Sequence, residues 1–141
     1  MNLILVPLDT SEAAAEAVEP AMELAEALDY SILLVVVGDV VVKNAMQPMM
    51  DSERITAEQA LASYLGQLAA GLDGRGVSVE MLVIDSTDPA ASIADTAEAK
   101  GAEMIVMSSH GRTGAARWLL GSTAERVIRH ATMPVHLIPV R

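Results

Sequence analysis

Met104-Ile105-Val106-Met107-Ser108-Ser109-His110-Gly111-Arg112-Thr113-Gly114, followed by Leu119-Leu120-Gly121-Ser122, is the stretch that decides how this chain is read. Met104 to Met107 is a short apolar run with the Ile and Val content of a strand buried on both faces. It stops abruptly at small and polar residues. Gly111 and Gly114 carry no Cβ, so the loop after the strand can bring bare backbone N–H groups close to a ligand. Ser122 with Glu125 three residues later has capping-box spacing, which puts Gly121-Ser122 at a helix N-terminus. Unpaired amides and the positive end of the helix dipole make such a terminus an anion site. Strand, glycine loop and helix start together read as a phosphate cradle, with His110, Arg112 and Arg117 nearby. The stretch is neither a Walker A loop nor the Gly-x-Gly-x-x-Gly of dinucleotide folds.

Working outward, the remaining elements alternate. Leu3-Ile4-Leu5-Val6-Pro7 is a continuously apolar first strand that ends at Leu8-Asp9-Thr10-Ser11. Ser11 is a helix N-cap, and Ala14, Ala17, Val18, Ala21, Ala25 and Leu28 recur at helical spacing after it. Pro20 interrupts this helix, removes one hydrogen bond and predicts a kink near Glu16 to Pro20. Ser31 to Val37 is a second strand. Gly38 to Ser52, with Met46, Met49 and Met50 around Pro48, has no clean period and is expected to be a partly helical, mobile loop. A second helix runs from Glu53 to Leu72, and Val77 to Val83 alternates like a strand near a sheet edge. Asp88-Pro89 caps and opens a third helix carrying Ile93, Ala94 and Ala97, which stops at Lys100-Gly101. Trp118 to Leu120 reads as a short helical turn. The last helix carries Ala124, Val127, Ile128 and Ala131 on one stripe, and Val135 to Ile138 is the fifth strand.

Strand–helix alternation over 141 residues predicts one α/β domain: a single doubly wound, five-stranded parallel sheet with helices on both faces, Rossmann-like in construction. Ligands in such sheets bind beyond the carboxyl ends of the strands, where the winding direction reverses. If strands 1 and 4 are neighbours there, Asp9 and the Ser108–Gly114 loop face one crevice.

Composition narrows the function. Apolar residues make up 52 % of the chain, yet there is no Phe and one Trp, so the core must come from Val, Ile, Leu, Met and Ala. The formal net charge is −10 with no Lys/Arg cluster, which argues against DNA and RNA as partners. No apolar run approaches the roughly 20 residues of a membrane span. The first residues show no charged region or cleavage site of a signal peptide, and the chain is expected to be cytoplasmic. With no cysteine there is no disulfide, thiol nucleophile or thiolate metal site. The three histidines lack metal-ligand spacing, and His110 has no carboxylate or second histidine near it in sequence to make it a general base.

The spacing from position 108 through Gly111 and, after nine residues, Gly121-Ser122 resembles the nucleotide-binding signature of the universal stress protein family. That signature runs Gly-x-x-Gly, nine residues, Gly-Ser/Thr, and Ser108 stands at its first glycine, with a hydroxyl able to bond a phosphate or ribose. Thr87 stands where relatives commonly carry glycine. The resemblance extends to Val6-Pro7-Leu8-Asp9-Thr10-Ser11 and to the closing Pro134 to Val140. It implies ATP, accompanied by Mg²⁺, held by Pro7, Leu8, Asp9, Val36, Met107, Ser108, His110, Gly111, Arg112, Gly114, Gly121, Ser122 and Thr123. It further implies a homodimer formed through the last strand, Val135 to Val140, and a nucleotide-dependent regulatory or protective role in stress. Alternatives are a dimeric interaction protein of the same fold with a vestigial cradle, and a slow ATP hydrolase. Nothing in the sequence supports efficient phosphoryl transfer, because a Walker lysine, a positioned base and an arginine finger are all missing. A two-component receiver is set aside because its acidic pair, phospho-acceptor aspartate and late lysine are not all present.

Overall fold

A computed structural model of the chain describes residues 2–38, 42–44, 47–48, 51–110 and 120–140. Its strands follow from the apolar runs: β1 (Leu3–Leu8), β2 (Ser31–Gly38), β5 (Val79–Asp85), β6 (Met104–Ser108) and β7 (Val135–Ile138) form one sheet in the order β5-β2-β1-β6-β7. Every pairing in it is parallel. β1 lies between β2 and β6, so the neighbour relation on which the predicted crevice depends is present.

Side chains alternate across a strand, and here each set meets a helix layer. Ile4, Val6 and Leu8 of β1, Ile32, Leu34 and Val36 of β2 and Val106 of β6 pack with Ala17, Ala21 and Met22 and with Leu65 and Leu72. Those partners come from α2 (Val18–Leu28), the turn before it, and the region of α3 (Asp51–Gly71). On the other side Leu5, Leu33, Val35, Ile105 and Met107 pack with Ala90, Ile93 and Ala97 of α4 (Pro89–Ala99) and Ala124 and Val127 of α5 (Ser122–His130). Both faces are covered, which is why β1, β2 and β6 are apolar without alternation. β5 is at an edge, and its Met81 is 49 % exposed.

Where a kink is expected near Glu16, the helix is interrupted at Glu16 and Ala17, whose backbone stays right-handed and whose amides bond three residues back, to Ala13 at 3.3 Å and Ala14 at 3.2 Å. A four-residue helix α1 (Glu12–Ala15), capped by Ser11 Oγ accepting from the Ala14 amide at 3.0 Å, ends before α2 begins at Val18. Pro20 therefore stands in the first turn of α2, where its missing N–H costs no helical bond. The Ser108 hydroxyl of β6 donates to the carbonyls of both Ala13 and Ala14. Leu28 and Ile128, expected on buried stripes, are 44 % and 42 % exposed; each lies near the C-terminal end of its helix. Between β2 and α3, where a loop was expected, β3 (Val42–Asn44) pairs antiparallel with β4 (Gln47–Pro48). Met46, Met49, Met50 and Trp118 lie outside the described residues.

α4 is capped as its sequence suggests: Asp88 accepts from the Ala91 amide at 3.3 Å, with proline at the first helical position. The same carboxylate meets Arg126 of α5 at 3.0 Å, joining the starts of α4 and α5. The Arg126 hydrogen bond first, and the Ala91 amide second, hold the Asp88 carboxyl below its ordinary value. A lowered folded-state value stabilises the fold above the unfolded carboxyl's range, and that contribution disappears as pH falls through the folded-state value. Asp88→Asn keeps the cap and removes the charge. Its melting temperature should lie below wild type at neutral pH, with the gap closing below about pH 4. A gap independent of pH would show that the charge contributes nothing.

Candidate functional site

At the carboxyl ends of β1, β2 and β6 the two helix layers leave a cleft of about 390 Å³. Residues 7–10 at the end of β1, 36–38 of β2, 107–110 at the end of β6 and 121–124 at the start of α5 line it, joined by Ala14, Leu61, Pro89 and Ile93. Volume and lining suit a small organic ligand: largely apolar walls with a few convergent polar groups.

The first wall is set by the β1–α1 turn. Asp9 Oδ1 accepts from the Ser11 amide at 2.9 Å and from the Ser11 hydroxyl, so the carboxylate is oriented by the residue that caps α1. Thr10 between them has φ of 71°. A β-branched residue in the left-handed region is strained, and such outliers gather at functional turns.

The second wall is set by β6 and α5. The Gly121 amide donates to the Ser109 carbonyl at 2.8 Å, which presses the helix entry flush against the strand exit. A Cβ on Gly121 would stand 2.9 Å from the Ser109 carbonyl oxygen and 3.2 Å from His110 Cα. The glycine is required by this close approach and not by its dihedrals, which are φ −65° and ψ 151°. Gly121, not Ser122, is the N-cap, and being glycine it offers no side chain to cap the helix. The capping box is thus not made: Ser122 is already the first helical residue, so Glu125 is one position too late to reach back. Among the described residues, the amides of Ser122, Thr123 and Ala124 find no capping group, and those three residues line the cleft.

Ser108 stays within β6 and has no positive φ, so serine meets no backbone strain at this position. Its single donor is committed to the α1 carbonyls, which leaves only the oxygen lone pairs for a ligand. His110 is 4 % exposed; Ser109 Oγ lies 3.2 Å from its Nδ1, and its Nε2 is buried with no partner among the described residues. Tyr64 Oη is the other such orphan. Burial first, then the negative charge of Asp9, raises the ionisation of Tyr64 above the usual phenol range. No group of three or more His, Cys, Asp or Glu among the described residues is placed to hold a metal ion, and no described helix is long and apolar enough to cross a membrane.

Of the residues singled out in the sequence, Pro7, Leu8, Asp9, Val36, Met107, Ser108, His110, Gly121, Ser122 and Thr123 converge on this one cleft. Gly111, Arg112 and Gly114 lie outside the described residues. The cleft is also lined by residues the sequence reading did not name for the site: Thr10, Ala14, Val37, Gly38, Leu61, Pro89, Ile93, Ser109 and Ala124. Pro89 and Ile93 follow from the rule that helix starts surround the carboxyl ends of parallel strands. Leu61 has no comparable signal, because only the crossing of α3 over the sheet brings it there.

A model of the universal stress protein family matches residues 1–139. A universal stress protein of Methanocaldococcus jannaschii is 32 % identical over 138 residues, spanning 96 % of this chain and 80 % of the relative. The solved universal stress protein UspA of Lactobacillus plantarum has a TM-score of 0.74 at 27 % identity, covering 99 % of this chain and 97 % of that one. A universal stress protein solved in complex with cAMP has a TM-score of 0.73, covering 99 % of this chain and 98 % of its own, and at 18 % identity it speaks to the fold alone. On a match that runs nearly end to end, the chain belongs to the universal stress protein family.

Proposed function

We propose that this protein binds ATP in the cleft between β1 and β6 and acts in the cytoplasm as a nucleotide-dependent regulatory or protective module in stress. The observation that carries this reading is the first turn of α5. Ser122, Thr123 and Ala124 line the cleft, no side chain among the described residues caps their amides, and Gly121 leaves no Cβ between them and the strand exit. Such a terminus favours phosphate through both its N–H groups and its dipole. In this reading Asp9 accepts from the ribose hydroxyls, and the apolar wall of Val36, Val37, Leu61 and Ile93 receives the adenine. Mg²⁺ arrives with the triphosphate and keeps most of its water.

Turnover is slow or absent in this reading. His110 and Asp9 are the titratable groups on the described wall, and Asp9 Oδ1 accepts from the Ser11 amide. Calorimetry with ATP and Mg²⁺ tests the binding. Wild type should bind at micromolar concentration, and Gly121→Val, which puts carbon against the Ser109 carbonyl, should weaken binding at least roughly tenfold. Asp9→Asn, which can still accept from the Ser11 amide, serves as a second variant, and thermal melts confirm that each is folded. No heat from folded wild type at millimolar ATP would sink the nucleotide reading and leave a dimeric interaction protein.

We also propose that two copies pair through the last strand. Among the described residues β7 is bonded to β6 on one side only, and Val135, Leu137 and Ile138 are half-buried at that edge. An unpaired edge is a template for a second strand. Sedimentation equilibrium should give about twice the chain mass of 14.8 kDa; a single-chain mass at micromolar concentration would contradict it.

A further inference from the structure

The sheet has two edges, and they differ in charge. Among the described residues β7 bonds only to β6, and β5 only to β2. Val135 to Ile138 carries His136 and no carboxylate, which suits pairing with a second copy of itself. Val79 to Asp85 carries Glu80 and Asp85. It has none of the usual devices that blunt an edge: no proline, no lysine, and a register with β2 that runs unbroken through seven pairs. Its outward backbone N–H and C=O groups form a regular row to which another strand can bond.

The side chains along that edge follow one pattern. Alternation turns Met81, Val83 and Asp85 to the α3 side and Leu82 and Ile84 to the α4 side. Val83 and Asp85 form, with Glu58, Gln59 and Ala62 of α3, an open groove of about 500 Å³. Met81, next along the same face, is an exposed methionine, and Leu82, Val83 and Ile84 are half-buried. Exposed carboxylates stand at both ends of this apolar centre: Glu80 before it, Asp85 and Glu58 after it. No lysine or arginine lines the groove. Arg75, the described cation that precedes β5 in the chain, is bonded to Glu19 and Glu26.

We propose that the β5 edge docks an extended segment of a partner protein as a sixth strand, the segment having an apolar stretch of about four residues flanked at both ends by Lys or Arg. The backbone of the segment bonds the outward groups of β5, and its apolar side chains cover Met81 and Val83. Four residues of strand span about 13 Å, so the two basic ends reach Glu80 on one side and Asp85 with Glu58 on the other. Charge decides between this occupant and a second copy of the chain. A second copy brings the same carboxylates to the same edge, and each copy carries a net charge of −10. The groove and the cleft between β1 and β6 share no lining residue, so this docking does not depend on the nucleotide reading.

The test uses the whole protein without nucleotide and a synthetic peptide, Lys-Arg-Val-Ile-Val-Val-Arg-Lys, capped at both ends. In an amide-resolved nitrogen–proton spectrum the peptide should shift Val79 to Asp85 and leave Val135 to Ile138 in place. A second peptide, N-methylated at alternate backbone amides, keeps every charge but cannot pair along one edge. It should bind at least roughly tenfold more weakly by calorimetry. The double variant Glu58→Lys/Glu80→Lys, shown to be folded by its thermal melt, should weaken the unmodified peptide by a similar factor. Equal affinity of the two peptides, or shifts scattered over the acidic surface, would reduce the effect to non-specific attraction and overturn the strand addition. No binding at millimolar peptide would overturn it as well. Met81→Asp should leave the solution mass measured without peptide unchanged; a lowered mass would assign the β5 edge to a second copy and contradict the proposal.

Discussion

A strand in the middle of a parallel sheet must have its neighbours supplied from both directions, and β1, flanked by β2 and β6, sets this constraint for the whole molecule. The chain first moves one way, β1 to β2 to β5, and right-handed crossovers put α1, α2 and α3 on one face. It then returns to the other side of β1, through β6 to β7, which places α4 and α5 on the opposite face. The two layers diverge at the carboxyl ends of β1 and β6. The cleft is a consequence of that reversal, and its polar groups are whatever the chain places at those two strand ends.

Two contacts then give the opening its chemistry. Gly121 against Ser109 fixes where α5 begins, and so where its open amides point. Ser108 against the carbonyls of Ala13 and Ala14 ties the end of β6 to the broken helix after β1. The second contact joins the two walls directly. Buried bonds of this kind each contribute about 1 kcal/mol, but they matter here chiefly for registering one wall against the other. The exposed bridges elsewhere, such as Arg75 with Glu19 and Glu26, hold surface segments together and contribute little in water.

Much of this was legible in the sequence, because the fold is written in run length. Leu3 to Leu8 and Ile32 to Val37 are too short and too uniformly apolar for anything but strands covered on both faces. Asp88-Pro89 is a local signal that transferred, because cap and helix start sit within four residues of each other. What failed depends on contacts distant in sequence. Whether Ser122 or Gly121 caps α5 is decided by the Ser109 carbonyl and not by Glu125. Thr10 gives no warning of its positive φ, since β-branched residues avoid that region. Ten of the thirteen residues expected at the site line one cleft because strand ends are legible from sequence; Leu61 joins that lining unannounced because the packing of α3 is not.

The central claim is that phosphate sits on the first turn of α5. An amide-resolved nitrogen–proton spectrum titrated with ATP and Mg²⁺ tests it most directly. The account predicts that the largest shifts fall on Gly121, Ser122, Thr123 and Ala124, with a second group at Asp9 and Val36. Shifts centred elsewhere, for example on the groove of Glu58, Gln59, Val83 and Asp85 between α3 and the β5 edge, would contradict it.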